Sequence, residues 1–276
     1  MNQLTTTTFS STGRVLRSVR PLTNDQIQTV APSIFAEGAH ESRSDRYTYI
    51  PTGVVLAGLQ KEGFEPFMVC QARTRDPGRR DYAKHMIRFR HASQIDGQEA
   101  NEIILINAHD GSSSYQMLAG VFRFVCQNGL VCGDVMDDLR VRHQGDLVDQ
   151  VIEGAHSILA GFDRVDASKG KMRAVMLYPD EQAAFATAAL SLRYEVESPI
   201  GVSQVLNPRR MGDVGQNLWS TFNVVQENLV RGGLRGTNPN NKRVTTRAVK
   251  GIDTNVKLNQ ALWISAEKMV ELKQVA

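Results

Sequence analysis

The sequence predicts an α+β fold, with an antiparallel β-meander in the first half packed with helices and a mainly helical second half. Three observations carry that prediction. Between residues 64 and 107, apolar runs of strand length are separated only by the turn-forming stretches DPGRRD and IDGQ. A segment with helical spacing, over residues 52–62, precedes those runs. From Leu147 onward the apolar residues fall at helical intervals instead. Strands gathered in one half and helices in the other are the mark of this class.

Residues 1–20, basic and rich in hydroxyls, are expected to form a disordered arm ahead of a single domain over 21–276. Thr23 suits the cap of a short helix over 25–30, which stops before Pro32. The stretch HESRSDRYTYIPT reads as a short extended segment that ends at Pro51. Thr52 then caps a helix with Val55, Leu56 and Leu59 on one face and Gly63 as its stop. FEPFMVCQARTR suits a largely covered strand. AKHMIRFRHA alternates, with His85, Ile87 and Phe89 on one side and Lys84, Met86, Arg88 and Arg90 mostly on the other. That pattern predicts a half-buried strand with a cationic outer face. EIILIN is the third strand and YQML a fourth, after which GVFRFVCQNG reads as a short helix stopped by Asn128 and Gly129, with a further strand as the alternative. Val148, Val151, Ile152, Ala155 and Leu159 place a helix over 147–162, and more are expected over 180–194, 217–230 and 257–273. The Gly- and Asn-rich RGGLRGTNPNNKR is expected to be a mobile basic loop within 231–250.

With 276 residues, of which 41% are apolar and 22% charged, the chain has an ordinary globular composition and enough length for a substantial core. No apolar run approaches the roughly 20 residues that cross a bilayer. The N-terminal stretch lacks a hydrophobic signal segment, so a cytoplasmic protein is expected. Cys70, Cys126 and Cys132 match neither a redox pair nor a zinc ribbon and are expected to be buried, reduced thiols. The net charge of +3 is modest but unevenly spread. From 71 to 91, seven basic residues (Arg73, Arg75, Arg79, Arg80, Lys84, Arg88, Arg90) stand against two acids, Asp76 and Asp81. From 231 to 250 there are six basic residues and no acid. Blocks of one sign suggest a polyanion-binding surface.

One stretch has the look of chemistry: LINAHDGSSSYQ, where an apolar run ends in Asn107, His109, Asp110, Gly111 and three serines. Asp110 and Gly111 suit a hairpin turn, Ser112, Ser113 and Ser114 suit local backbone bonding, and Asn107 and His109 suit orientation of the loop. A triad drawn from Ser113 and His109 lacks a nucleophile-elbow pattern. The stretch is therefore read as a structured turn near the functional surface rather than a catalytic dyad. Acids at Asp134, Asp137, Asp138, Asp146, Asp149 and Glu153 have the character of a solvated helix face, with Mg²⁺ binding as the alternative. No phosphate-cradling glycine loop precedes a helix, which argues against an NTPase. No metal or cofactor is expected.

HESRSDRYTYIPT, KHMIRFR, EIILINAHDGSSSYQMLAGVFRFVCQNGLVCG, QVIEGA, QENLVRGGL and TTRAVKGIDTNVKLNQALW together resemble the phage/plasmid-like protein family, found in prophages and on plasmids and catalogued as a domain of unknown function. The likeness runs in order from about Arg17 to near the C-terminus, and it implies a mobile-element protein of the bacterial cytoplasm. The helix-then-meander order also looks like the core of Rad52-type single-strand annealing proteins, which work without ATP as rings of subunits. The function expected is single-stranded DNA binding or annealing by a non-enzymatic homo-oligomer. Arg73, Arg75, Arg79, Arg80, Lys84, Arg88 and Arg90 would contact phosphates, Arg243, Arg247 and Lys250 would add a second, mobile set, and Tyr47 and Tyr49 would stack on bases. The alternatives are a host-defence antagonist acting by protein–protein binding and a metal-dependent nuclease.

Overall fold

The computed structural model describes residues 5–9, 13–44, 47–96, 99–124, 128–132, 147–195 and 197–275. Its class is α+β. The chain divides into two compact units. The first comprises Met1–Leu130, Met136–Phe162 and Lys250–Ile252, and the second Val131–Val135, Asp163–Val249 and Asp253–Ala276.

The first unit is organised by a sheet in which every strand lies beside its neighbour in sequence: β1 (Thr5–Phe9), β2 (Gly13–Arg17), β3 (Phe64–Ala72), β4 (His85–Asp96), β5 (Glu99–Asn107), β6 (Gln116–Arg123) and β7 (Asn128–Val131). The pairings from β1 through β6 are antiparallel. Strands β1 and β2 fall within the stretch expected to be a disordered arm; β2 is held there by pairing Val15 with Cys70 and Leu16 with Val69. Over GVFR, β6 takes the strand alternative rather than the short helix. In the strand, Val121 and Phe122 are both buried, one on each face, as β-branched and aromatic residues favour. Pro66 lies inside β3, where its missing N–H is accommodated by a register shift between Pro66 and Met68.

Two helices precede β3. The first, α1 (Asn24–Val30), begins with a capping box in which Thr23 accepts from the Gln26 backbone and Gln26 from that of Thr23. The second, α2 (Thr52–Lys61), is preceded by Pro51 at its cap, so the Thr52 hydroxyl is free for the interior, where it is fully buried. Gly63 follows α2 at φ +87°, the left-handed conformation a helix stop calls for. Helix α3 (Leu147–Ala174) outruns its expected end at 162. Gly58 of α2 lets it approach α3 closely, since a Cβ there would sit 2.8 Å from Ile152 Cδ1.

The second unit holds α4 (Pro179–Arg193), α5 (Val202–Val205), α6 (Leu218–Arg231) and α7 (Ile252–Val275). Trp219 and Phe222 on α6 stack at 5.6 Å, and Trp263 of α7 stands edge-on to both at 6.2 and 6.0 Å. The basic stretch expected to be a mobile loop is instead a hairpin of β8 (Arg235–Thr237) and β9 (Arg243–Thr245). Its turn is built by Asn238, whose side-chain oxygen accepts from the backbones of Asn240 and Lys242 at 3.1 and 2.9 Å. Cys70 and Cys132 are buried, and Cys126 lies outside the described residues. Burial pushes the Cys70 thiol up to about 12. Among the described residues no helix is long and apolar enough to cross a membrane.

Candidate functional site

The basic segment after β3 divides into two sets. Arg73, Arg75 and Arg80 are exposed, and among the described residues their guanidiniums have no partner. Arg73 and Arg80 line a cleft of about 370 Å³ together with Val30, Gln71, Ala72, Thr74 and Pro77. Arg79 reaches Asp76 at 3.6 Å across a solvent-exposed gap, and Lys84 is half-buried with interactions of its own.

Arg88 and Arg90 are elsewhere. The cationic outer face expected on β4 does not exist, because both side chains are buried around one carboxylate. Arg90 Nε donates to Glu102 Oε1 at 2.8 Å and Arg88 Nη1 to Oε2 at 2.9 Å, with side-chain exposures of 2%, 4% and 0% for Arg90, Arg88 and Glu102. Arg88 also donates to the Leu130 carbonyl at 3.2 Å. The Arg90 guanidinium lies over the rings of Phe67 and Phe122 at 4.4 and 4.0 Å. Neither arginine is available to a phosphate. Tyr47 and Tyr49 are likewise built into the fold rather than free to stack: Tyr47 donates its hydroxyl to Ala108 O at 2.7 Å, and Tyr49 to Ala36 O. Burial raises both phenols.

Of the cleft arginines, Arg80 sits on a turn, Pro77–Tyr82, that is fixed from behind. Gln71 Nε2 donates to the Arg80 carbonyl at 2.7 Å. Its oxygen accepts from both the backbone and the hydroxyl of Ser33, at 3.0 and 2.8 Å. Behind Ser33 is His85, whose Nδ1 lies 3.1 Å from Ala83 O and 2.9 Å from Ser33 Oγ. A carbonyl can only accept, so Nδ1 carries the proton and Nε2 accepts from Thr52 Oγ1 at 3.0 Å. The Thr52 oxygen in turn accepts from Asn107 Nδ2 at 2.9 Å, and His109 Nε2 approaches it at 3.4 Å. The polar groups thus form one directed chain from the end of β5 to the arginine turn, satisfied with His85 neutral. Burial holds His85 down at about 3 and His109 at about 4, so both rings are neutral near pH 7.

The loop after β5 fastens the same turn from another side. The backbone N–H groups of His109 and Asp110 both donate to Tyr82 O, at 2.9 and 3.1 Å. Asp110 Oδ1 accepts from Ser112 N at 2.9 Å, Ser113 Oγ donates to Ser114 O at 3.1 Å, and Gly111 turns at φ +76° under the Arg43 guanidinium. His109 thus engages Thr52, while Asp110 engages its own turn. Of the acids weighed for a nuclease, Asp134, Asp137, Asp138 and Asp146 lie outside the described residues. Among the described residues no three potential ligands gather.

Ser33, Thr52, Gln71 and His85 were not singled out from the sequence. The signal was the register: Gln71 pairs with His85, and His85 with Asn107, a polar row across the ends of three strands. In the second unit, Arg243 and Arg247 are exposed without a partner among the described residues. Lys250 is half-buried with interactions of its own and groups with the first unit.

Comparison with known proteins places the chain among relatives. It is 54% identical over 257 residues to UPF0380 protein YafZ of Escherichia coli strain K12, covering 93% of this chain and 94% of that protein. It is 53% identical over 257 residues to UPF0380 protein YfjQ of the same strain, with the same coverage. No solved structure matches it. The model of the family described as Domain of unknown function (DUF932) matches residues 39–263, and with that span and those relatives the chain belongs to the DUF932 family.

Proposed function

We propose that the protein binds single-stranded nucleic acid without ATP, as a homo-oligomeric, cytoplasmic DNA-binding or annealing protein of a mobile element. The observation that carries this reading is the set of unpaired guanidiniums at one cleft: Arg73 and Arg80 line it, and Arg75 follows the lining residue Thr74. The planar fork of arginine fits phosphate oxygens, and an exposed, unpaired fork contributes little to the fold itself. Val30, Ala72 and Pro77 give the same cleft an apolar wall. The mobile-element assignment draws on the resemblance to the phage/plasmid-like family. The annealing assignment draws on the helix-then-meander order and on the lack of a nucleotide-binding motif in the sequence. Fluorescence anisotropy with labelled single-stranded and duplex oligonucleotides, titrated with salt, tests the proposal. The expected result is a salt-sensitive preference for single strands. In the triple variant Arg73→Ala, Arg75→Ala, Arg80→Ala, the slope of log K against log salt should fall by about 2, as loss of three single-strand phosphate contacts requires. No binding at low salt, or an unchanged slope in the triple variant, sinks it.

A second reading, antagonism of a host defence by protein binding, is favoured by exposed apolar side chains in the second unit. Met176, Tyr178 and Val214 are all exposed, and the backbone of 175–177 runs beside that of 216–218 through bonds of 2.8 Å. Under that reading, protection of the element's DNA in a restricting host survives the triple arginine variant and is lost in Tyr178→Asp.

A further inference from the structure

We infer that the β8–β9 hairpin of the second unit is a duplex-DNA contact, separate from the cleft and addressed to the major groove. The hairpin register pairs Arg235 with Thr245 and Thr237 with Arg243, around a central pair of Gly236 and Val244. Because side chains alternate across a strand, Arg235, Thr237, Arg243 and Thr245 share one face of the ribbon. All four are exposed. The opposite face is pressed against the chain at Pro199. Thr237 N donates to Pro199 O at 2.9 Å, and a Cβ on Gly236 would lie 1.8 Å from that same oxygen. Only glycine permits that approach, and it settles which face is presented outward.

The ribbon is also anchored along its length. Gly233 N donates to Thr246 O and Thr246 N to Leu234 O, both at 2.8 Å, and Val249 N donates to Val230 O at the end of α6, also at 2.8 Å. Its outward face therefore stands on a braced element. Lys242 and Arg247, both exposed, flank it, and the 231–250 stretch contains no acid at all. The side-chain guanidiniums of Arg235, Arg243 and Arg247 have no partner among the described residues.

Charge calls for a polyanion, and two features select a duplex over a single strand. Residues 231–250 contain no Phe, Tyr, Trp or His, so the surface has no platform on which unstacked bases could lie. Arg235 and Arg243 stand diagonally across the ribbon, about 7–8 Å apart at Cα. Two strands spaced about 4.8 Å apart make an element narrow enough for a major groove about 12 Å wide. Arginine and threonine are the side chains that serve there, Arg on guanine edges and phosphates, Thr on phosphates and thymine methyls.

The test uses the full chain with a labelled duplex and a labelled single strand of equal length, comparing wild type, the ribbon variant Arg235→Ala, Arg243→Ala, and the cleft variant lacking Arg73, Arg75 and Arg80. The ribbon variant is expected to fold as wild type by circular dichroism. It should bind duplex at least tenfold more weakly at 0.1 M salt, with the salt slope reduced by about 2, while its single-strand affinity is unchanged. Lysine at both positions should restore the slope, because it restores the phosphate charges. Unchanged duplex binding in the alanine variant overturns the inference, and so does equal loss on both forms of DNA. Duplex binding without single-strand binding in wild type sinks the cleft proposal alone; the reverse sinks this one alone.

Discussion

Replacing Glu102 with glutamine isolates the least ordinary piece of the first unit's interior. One carboxylate bridges two guanidiniums, at 2.8 and 2.9 Å, and no member of the group is more than 4% exposed. Removing one partner of a buried ion pair costs about 3–5 kcal/mol, chiefly because the remaining charge is left buried without compensation. Here two charges are left, so the cost belongs at the upper end of that range. Against a typical domain stability of about 5–15 kcal/mol, the loss takes a third or more. With a urea dependence of about 2 kcal/mol per molar, the midpoint should fall by about 2 M. Far-UV circular dichroism follows the unfolding of the sheet. Both tryptophans, Trp219 and Trp263, belong to the second unit, so their fluorescence reports that unit separately. Glu271→Gln is the control, because its partner Lys268 is on the surface, with exposures of 61% and 66% for the two side chains, and no measurable shift is expected. A Glu102→Gln midpoint within about 0.3 M of wild type would refute the burial of this cluster, and with it the withdrawal of Arg88 and Arg90 from the surface.

Two further outcomes follow from the same interior. His85 and His109 titrate near 3 and 4 in the folded chain against 6.5 for a free imidazole, so below pH 6.5 the unfolded state takes up protons that the folded state refuses. Their contribution is complete above that value and is lost as pH falls toward 4 for His109 and toward 3 for His85, at up to about 1.4 kcal/mol per pH unit for each ring. Urea midpoints measured between pH 7 and 5, above the range where carboxylates titrate, should decline; a flat profile contradicts the neutral pair. Gly120→Ala should destabilise by about 1–3 kcal/mol, against the usual modest gain from Gly→Ala. The new Cβ would lie 2.7 Å from Ile104 Cδ1 and 2.8 Å from the Leu130 carbonyl that Arg88 already engages, and a raised melting temperature would show that β7 yields.

Much of the fold was legible where local chemistry acts alone. Thr23 and Gln26 write a capping box, Asn217 caps α6, and the apolar runs of β3, β4 and β5 have strand length and turns between them. What failed were the features decided by partners distant in sequence. The alternation in KHMIRFR is real, but alternation gives only sidedness, not what covers each side. A hairpin continued from its closing pairs, Asp96 with Glu99 and Ile95 with Ala100, would set Arg90 opposite Leu105. The irregularity between Arg90 and Ile95 sets it opposite Glu102 instead, and no local signal marks that shift. The ribbon was missed because its strands are three residues long and its Asn- and Gly-rich surroundings carry the composition of a loop. Of the candidate site, the cleft arginines stood out as charge, whereas Ser33, Thr52, Gln71 and His85 acquire their role only once four separate segments meet.

The neighbour-on-neighbour order of the sheet bears on how the chain reaches its folded state. From β3 to β6 each strand meets one separated from it by a short connection, so loop-closure entropy is small and this block can assemble from local contacts. One junction is different: β2 ends at Arg17, and its partner β3 begins at Phe64. During synthesis β2 is therefore made well before β3, and its β3-facing edge waits unpaired. Its sequence is GRVLR, two apolar residues bracketed by arginines. Charges at those positions oppose pairing between copies of the nascent strand, so the residues that guard β2 against aggregation while it waits are part of the strand itself.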